Sequence, residues 1–213
     1  MPRIAVIGGT GYAGSHIVAE AVRRGHTVVS VARSVPSERV DGATYVEGTV
    51  LDVPGLVAEL DGVDVVVSAV APRGDMLGKL RPAIAQLTSV LPESVRLGVV
   101  GGAGGSLVAD GGPRLIDTDG FTDDYKPEAS EAIGILEDLR ADASDRDWFY
   151  VHPAGGFGAW APGERTGNYR DGGHVLVVDD NGDSFISGAD FAVAVLDEIE
   201  NSRHSRDNFT VGY

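Results

Sequence analysis

The sequence predicts one α/β domain of three layers, with a doubly wound, mainly parallel sheet and helices on both of its faces. Three observations predict it. Short apolar strand-like runs alternate with helix-period runs along the chain. The first strand runs directly into a glycine-rich turn that opens a helix. The 213 residues fit one such domain and leave little room for a second.

Arg3–Ile7 is a short apolar strand. Tyr12–Arg24 has apolar residues at Ile17, Val18, Ala21 and Val22, the spacing of one helix face, and Gly25 stops it as a C′ glycine. His26–Ala32 is the second strand and Thr44–Glu47 a weak third. Asp52 can cap a helix over Val53–Leu60, with Pro54 in the first turn. Val63–Val70 is continuous and β-branched, as a strand covered on both faces should be. Leu77–Val90 is a helix in which Pro82 marks a kink or a restart. Arg96–Val100 is the fifth strand, Pro127–Ala143 a helix and Asp147–His152 the sixth strand. His174–Val178 and Ser184–Ile186 read as two strands joined by a tight Asn-Gly turn within Asp179–Asp183. A helix over Ala189–Glu200 and a strand at Asn208–Val211 close the domain. Gly101–Lys126 and Pro153–Gly173 are long, glycine-rich and follow strand ends, where open α/β sheets bind their ligands.

Composition excludes several classes. A net charge of −15 offers no basic face for nucleic acid. The apolar run Val63–Ala71 is too short to span a bilayer, and no signal-peptide pattern precedes the first strand, so the chain reads as cytoplasmic. There is no cysteine, hence neither thiol catalysis nor a Cys-ligated metal. The five histidines are scattered without metal spacing, and the Asp179–Asp183 run lacks the closing Glu of a calcium loop. No Gly-Lys-Ser/Thr follows the glycine turn, which excludes a P-loop. An acidic chain of this size can be a monomer or a homodimer.

The segment Ile7-Gly8-Gly9-Thr10-Gly11-Tyr12-Ala13-Gly14 carries the chemistry. It reads as Gly8-x-x-Gly11-x-x-Gly14 or as Gly9-x-Gly11-x-x-Gly14; the strand ending at Ile7 favours the first. Gly8 permits the tight turn. Gly11 lets backbone approach a pyrophosphate, and Gly14 lets the helix pack close to the sheet. The helix N-terminus adds free N–H groups and the positive end of its dipole. A glycine pattern between strand and helix is the mark of a Rossmann dinucleotide site. The second strand ends Ala32-Arg33 where an NAD site usually carries an acidic residue. An arginine there suits a 2′-phosphate and points to NADP, with NAD as the alternative.

This turn resembles that of the atypical short-chain dehydrogenases/reductases. It is most similar to the small NAD(P)H-binding proteins related to NADH–flavin reductases, biliverdin reductase B and the NmrA-like regulators. Val99-Val100-Gly101-Gly102-Ala103-Gly104, the stretch Phe121–Ala129, the stretch Pro162–Arg170 and the ending Phe209–Tyr213 extend the likeness over nearly the whole chain. The resemblance implies that Gly8, Thr10, Gly11, Tyr12 and Ala13 surround the pyrophosphate and that Arg33 lies at the adenosine ribose. It also implies that Ala69, Val70, Ala71 and Pro72 line the nicotinamide ribose side, with His152, Pro153 and Ala154 against the nicotinamide.

Many short-chain dehydrogenases use Tyr-x-x-x-Lys on one helix face, the Lys lowering the pKa of the Tyr. Here Tyr125 and Lys126 are adjacent and cannot share a face, and Pro127 disfavours helix at Lys126. Gly101-Gly102-Ala103 stands where the serine would be. Hydride transfer to a flavin escapes the objection, because it needs stacked rings and can take its proton from water. Tyr125 and His152 are the candidate proton donors, and Phe157 and Trp160 the candidates to cover a planar substrate. The sequence thus points to an NAD(P)H-dependent reductase of a flavin or similar planar acceptor. Its alternatives are a non-catalytic NmrA-like redox sensor and an epimerase- or dehydratase-like enzyme on a small nucleotide-linked substrate.

Overall fold

The computed structural model describes the whole chain, Met1–Tyr213. Its elements are β1 (Arg3–Ile7), α1 (Tyr12–Arg23), β2 (Thr27–Ala32), β3 (Ala43–Glu47), α2 (Val53–Ala58), β4 (Val65–Ser68) and α3 (Leu80–Val90). Then come β5 (Arg96–Val100), α4 (Lys126–Ala141), β6 (Trp148–His152), β7 (Arg170–Asp171), α5 (Gly188–Asn201) and β8 (Asp207–Gly212). The strands form one sheet in the order β3-β2-β1-β4-β5-β6-β8-β7. Every neighbouring pair is parallel except β7 with β8. This is the doubly wound Rossmann sheet, and its order reverses between β1 and β4. No helix is long and apolar enough to cross a membrane.

Alternation of side chains divides the core into two layers. Ala5, Ile7, Val29, Val31, Val66, Leu97, Val99, Trp148 and Tyr150 face α2, α3 and α4. Ile4, Val6, Val28, Val65, Val67, Phe149, Val151, Phe209 and Val211 face α1 and α5. Local signals fix the helix ends. Gly25 takes φ +84°, its N–H bonds Val22 O, and the His26 N–H bonds Ala21 O, a complete Schellman stop for α1. Asp52 caps α2 by accepting from the Gly55 N–H, and Ser187 caps α5 by accepting from the Asp190 N–H.

Three expectations need correction. Leu77–Val90 is not one helix: a single 3₁₀ turn at Gly74–Met76 precedes α3, and Pro82 lies in the first turn of α3, so it marks a restart and not a kink. Lys126 is helical, with φ −58° and ψ −42°. The 3₁₀ turn Asp123–Tyr125 leads directly into α4, so Pro127 falls in the first helical turn, where proline is tolerated; Lys126 Nζ also pairs with Asp123 at 2.6 Å. His174–Val178 and Ser184–Ile186 are not strands. The Asp179–Asp183 turn forms, with Gly182 at φ +86°, but its arms bond other loops. The Leu176 N–H donates to Leu107 O and the Gly156 N–H to Ser184 O, so their backbone groups are satisfied by scattered rungs instead of a ladder. The two-residue β7 is an addition that no local pattern announces.

Candidate functional site

The carboxyl ends of β1, β4, β5 and β6 open on a cleft of about 840 Å³ at the point where the strand order reverses. Gly8, Thr10, Gly11, Tyr12 and Ala13 line one side, Ala32 and Arg33 the mouth beside β2, and Ala69, Val70, Ala71 and Pro72 the floor beyond β4. Gly101–Gly104 and Pro153–Gly155 complete the wall past β5 and β6. The structure thus brings the residues expected at a dinucleotide together, with Gly14 one layer behind them.

The glycine turn is built for close approach. Gly8 takes φ +80°, and a Cβ there would lie 3.0 Å from Val70 and 3.1 Å from Ala69 O. A Cβ on Gly14 would overlap the Gly8 carbonyl oxygen and stand 2.8 Å from its carbon, so α1 can sit this close only with glycine. Gly11, the N-cap of α1, is extended at φ −74° and ψ 173°, and no side chain caps the helix. The Gly8 and Gly9 N–H groups bond Val31 O, and that of Gly11 bonds Gly8 O. The N–H groups of Thr10, Tyr12, Ala13 and Gly14 have no backbone acceptor, and no acidic side chain occupies the first turn. Those of Thr10, Tyr12 and Ala13 face the cleft; free donors on a positive helix end, beside the glycine turn, fit a diphosphate.

At the mouth, Arg33 Nη1 donates to Asp75 Oδ2 at 2.8 Å, with both side chains mostly exposed. Further along, Arg73 donates twice to Glu128, at 2.7 and 2.8 Å, which raises the pKa of Arg73 above its ordinary value. Glu131 accepts from the Gly78 and Arg81 N–H groups, and Asp138 holds Arg81 through two bonds of 2.8 Å. One acidic face of α4 thus fastens the segment after β4 over the cleft. Sequence reasoning missed all of these partners. The Glu128, Glu131 and Asp138 stripe was legible as one helix face. The Arg33–Asp75 pair joins residues 42 apart, and no spacing announces it.

Part of the cleft lining is aromatic. Phe121, Tyr125, Phe157 and Trp160 line it, with Tyr125 59% and Trp160 73% exposed. The Tyr12 hydroxyl accepts from the Gly188 N–H and donates to Pro162 O, tying the loop after β6 to the glycine turn. Phe157 packs edge-on to Tyr12 at 5.2 Å. Asp190 anchors the same loop by accepting from the Thr166 and Gly167 N–H groups, the Thr166 hydroxyl and the Tyr213 hydroxyl.

Of the two candidate proton donors, only Tyr125 reaches the cleft. His152 is wholly buried behind the wall, a correction to its expected place against the nicotinamide. Its Nδ1 lies 2.8 Å from Gly102 O, so the neutral ring keeps its proton there, and Nε2 has no partner. Burial lowers its pKa to about 4, and the ring stays uncharged at neutral pH. Its position at the end of β6, pointing into the layer under Gly105, follows from strand alternation, which puts it on the same face as Trp148 and Tyr150.

Residues 8–202 match the model of a family described as NAD(P)H-binding. The chain belongs to this NAD(P)H-binding family. That agrees with the resemblance to atypical short-chain dehydrogenases/reductases. It is 36% identical over 214 residues to the uncharacterized protein YwnB of Bacillus subtilis (strain 168), covering 98% of this chain and 97% of that one. A Streptococcus pneumoniae TIGR4 structure described as a candidate NADH-flavin reductase superposes with a TM-score of 0.86 at 32% identity, covering 100% of this chain and 99% of the other. A candidate epimerase from Bacteroides thetaiotaomicron gives a TM-score of 0.86 at 28% identity over 100% and 97% of the two chains.

Proposed function

We propose that this protein is an NAD(P)H-dependent reductase of a flavin or a similarly planar acceptor, with NADPH its preferred donor. The observation that carries the reading is a single cleft that holds both a free helix N-terminus and an exposed aromatic lining. The first fits a diphosphate and the second a flat ring system.

The bound dinucleotide supplies the hydride. The chain's own residues supply orientation. Thr10, Tyr12 and Ala13 N–H groups hold the phosphates, and Arg33 meets a 2′-phosphate. Ala69–Pro72 and Pro153 flank the ring end with uncharged side chains. Trp160 and Tyr125 cover the acceptor, and Tyr125 alone presents an exposed hydroxyl there. A flavin takes its proton from water through the open mouth, so no internal acid is needed. The S. pneumoniae structure described as a candidate NADH-flavin reductase supports this reading.

The sealed position of His152 also favours a second reading, a sensor that binds the dinucleotide without turnover. Oxidation of NADPH and NADH, with FMN, FAD and riboflavin as acceptors from low to molar salt, separates the two. Turnover that prefers NADPH supports the reductase. Tight NADPH binding with no turnover on any flavin supports the sensor.

A further inference from the structure

The Arg33–Asp75 pair has no evident structural duty. The Asp75 carboxylate makes no other hydrogen bond, and neither does the Arg33 guanidinium. The side chains are 71% and 66% exposed, and pairs so exposed contribute little to stability. The segment carrying Asp75 is already fastened to α4 through Arg73, Gly78 and Arg81.

Its place is chemically specific. Arg33 leaves the carboxyl end of β2 and Asp75 lies beyond β4, with β1 and its glycine turn between them in the sheet. The pair therefore crosses the mouth of the cleft, and both residues line it. We propose that Asp75 is a specificity-determining residue that sets the choice between a 2′-phosphorylated dinucleotide and its 2′-hydroxyl counterpart by occupying Arg33. A 2′-phosphate has to displace the carboxylate from the guanidinium and then remain beside it. A 2′-hydroxyl needs no such displacement and can donate to the carboxylate. Asp75 thus narrows the advantage that Arg33 gives NADPH over NADH. This rests on the reading of the cleft as a dinucleotide site with its adenosine end at Arg33.

The test is titration of the full chain with NADPH, NADH, 2′,5′-ADP and 5′-AMP at low ionic strength, in wild type, Asp75→Asn, Arg33→Gln and the double variant. Asp75→Asn tightens NADPH and 2′,5′-ADP by about three- to tenfold, the scale of releasing one exposed ion pair together with a neighbouring negative charge. NADH and 5′-AMP do not tighten. In the Arg33→Gln background the gain disappears, because Asp75 acts through Arg33. An equal gain for all four probes, no gain for the 2′-phosphorylated ones, or the same gain without Arg33 overturns the proposal while leaving the cleft reading intact. If wild type binds none of the four probes, the cleft reading fails and the proposal falls with it.

Discussion

Replacing Gly11 with alanine adds one methyl group to the cleft wall and asks only a few tenths of an ångström of relaxation from the fold. The new Cβ would lie 3.3 Å from Gly8 O, with no other heavy atom within 4 Å, and the φ of −74° suits any residue. Alanine is a poorer N-cap than glycine by under about 1 kcal/mol, offset by a similar loss of unfolded-state entropy. The melting temperature should therefore stay within about 3 °C of wild type. The methyl group nevertheless occupies the surface that the phosphates must approach, so NADPH affinity should fall at least about tenfold, or 1.4 kcal/mol. Gly14→Val is the contrast. Its Cβ overlaps the Gly8 carbonyl and stands 2.9 Å from Gly9 Cα, and backbone cannot swing aside. Overpacking of this kind costs about 1–3 kcal/mol, against a few tenths gained in helix propensity, so the melting temperature should drop by about 3–8 °C. Thermal unfolding and fluorescence titration of both variants decide the matter. If Gly11→Ala binds NADPH as tightly as wild type, or melts as low as Gly14→Val, the assignment of Gly11 to the ligand is wrong.

Arg33→Gln should weaken NADPH by about tenfold and leave NADH within about twofold, as removal of a charge-assisted phosphate contact predicts; parallel titrations check it. Tyr125→Phe should keep the melting temperature and cost flavin turnover less than about tenfold, since proton delivery by a side chain is typically worth about 10²–10⁴; a loss of that larger size in steady-state rate would make Tyr125 the acid. His152 is held neutral, with a pKa of about 4 against an ordinary 6.5. The unfolded chain therefore binds the extra proton first. The stability this group contributes is complete above about pH 6.5 and is lost as pH falls towards 4, by about 3 kcal/mol at most. Urea unfolding at pH 7 and pH 5 should show a smaller difference for His152→Gln than for wild type, and an equal difference would contradict the role given to burial.

Much of the fold is written locally. Gly25, Asp52 and the Ile7-to-Gly14 turn act through neighbours in the chain, and each formed as its residue type requires. The periodicity of β1, β4 and β6 reported strands because both faces of each are covered. Failures cluster where a long-range partner decides. His174–Val178 has the composition of a hairpin arm, yet Leu107 takes its backbone bonds. Lys126 enters the helix because the preceding 3₁₀ turn runs straight into it and puts Pro127 in the first helical turn. In the site, the phosphate end was legible because glycines state their own reason. The Asp75, Arg73 and Glu128 contacts were not, since ion pairs between distant segments leave no spacing. His152 looked like a cleft residue because it ends a strand, but strand alternation turned its ring into the layer beneath Gly105.

The most direct test of the central claim is an anaerobic mixing experiment with the protein, NADPH and excess FMN, following flavin bleaching and loss of reduced nicotinamide together. Both should proceed at the same rate and in equal amounts, only with protein present, and more slowly with Gly11→Ala. Saturating NADPH binding with no bleaching of FMN, FAD or riboflavin would contradict the claim and leave a protein that binds the dinucleotide without passing on its hydride to a flavin.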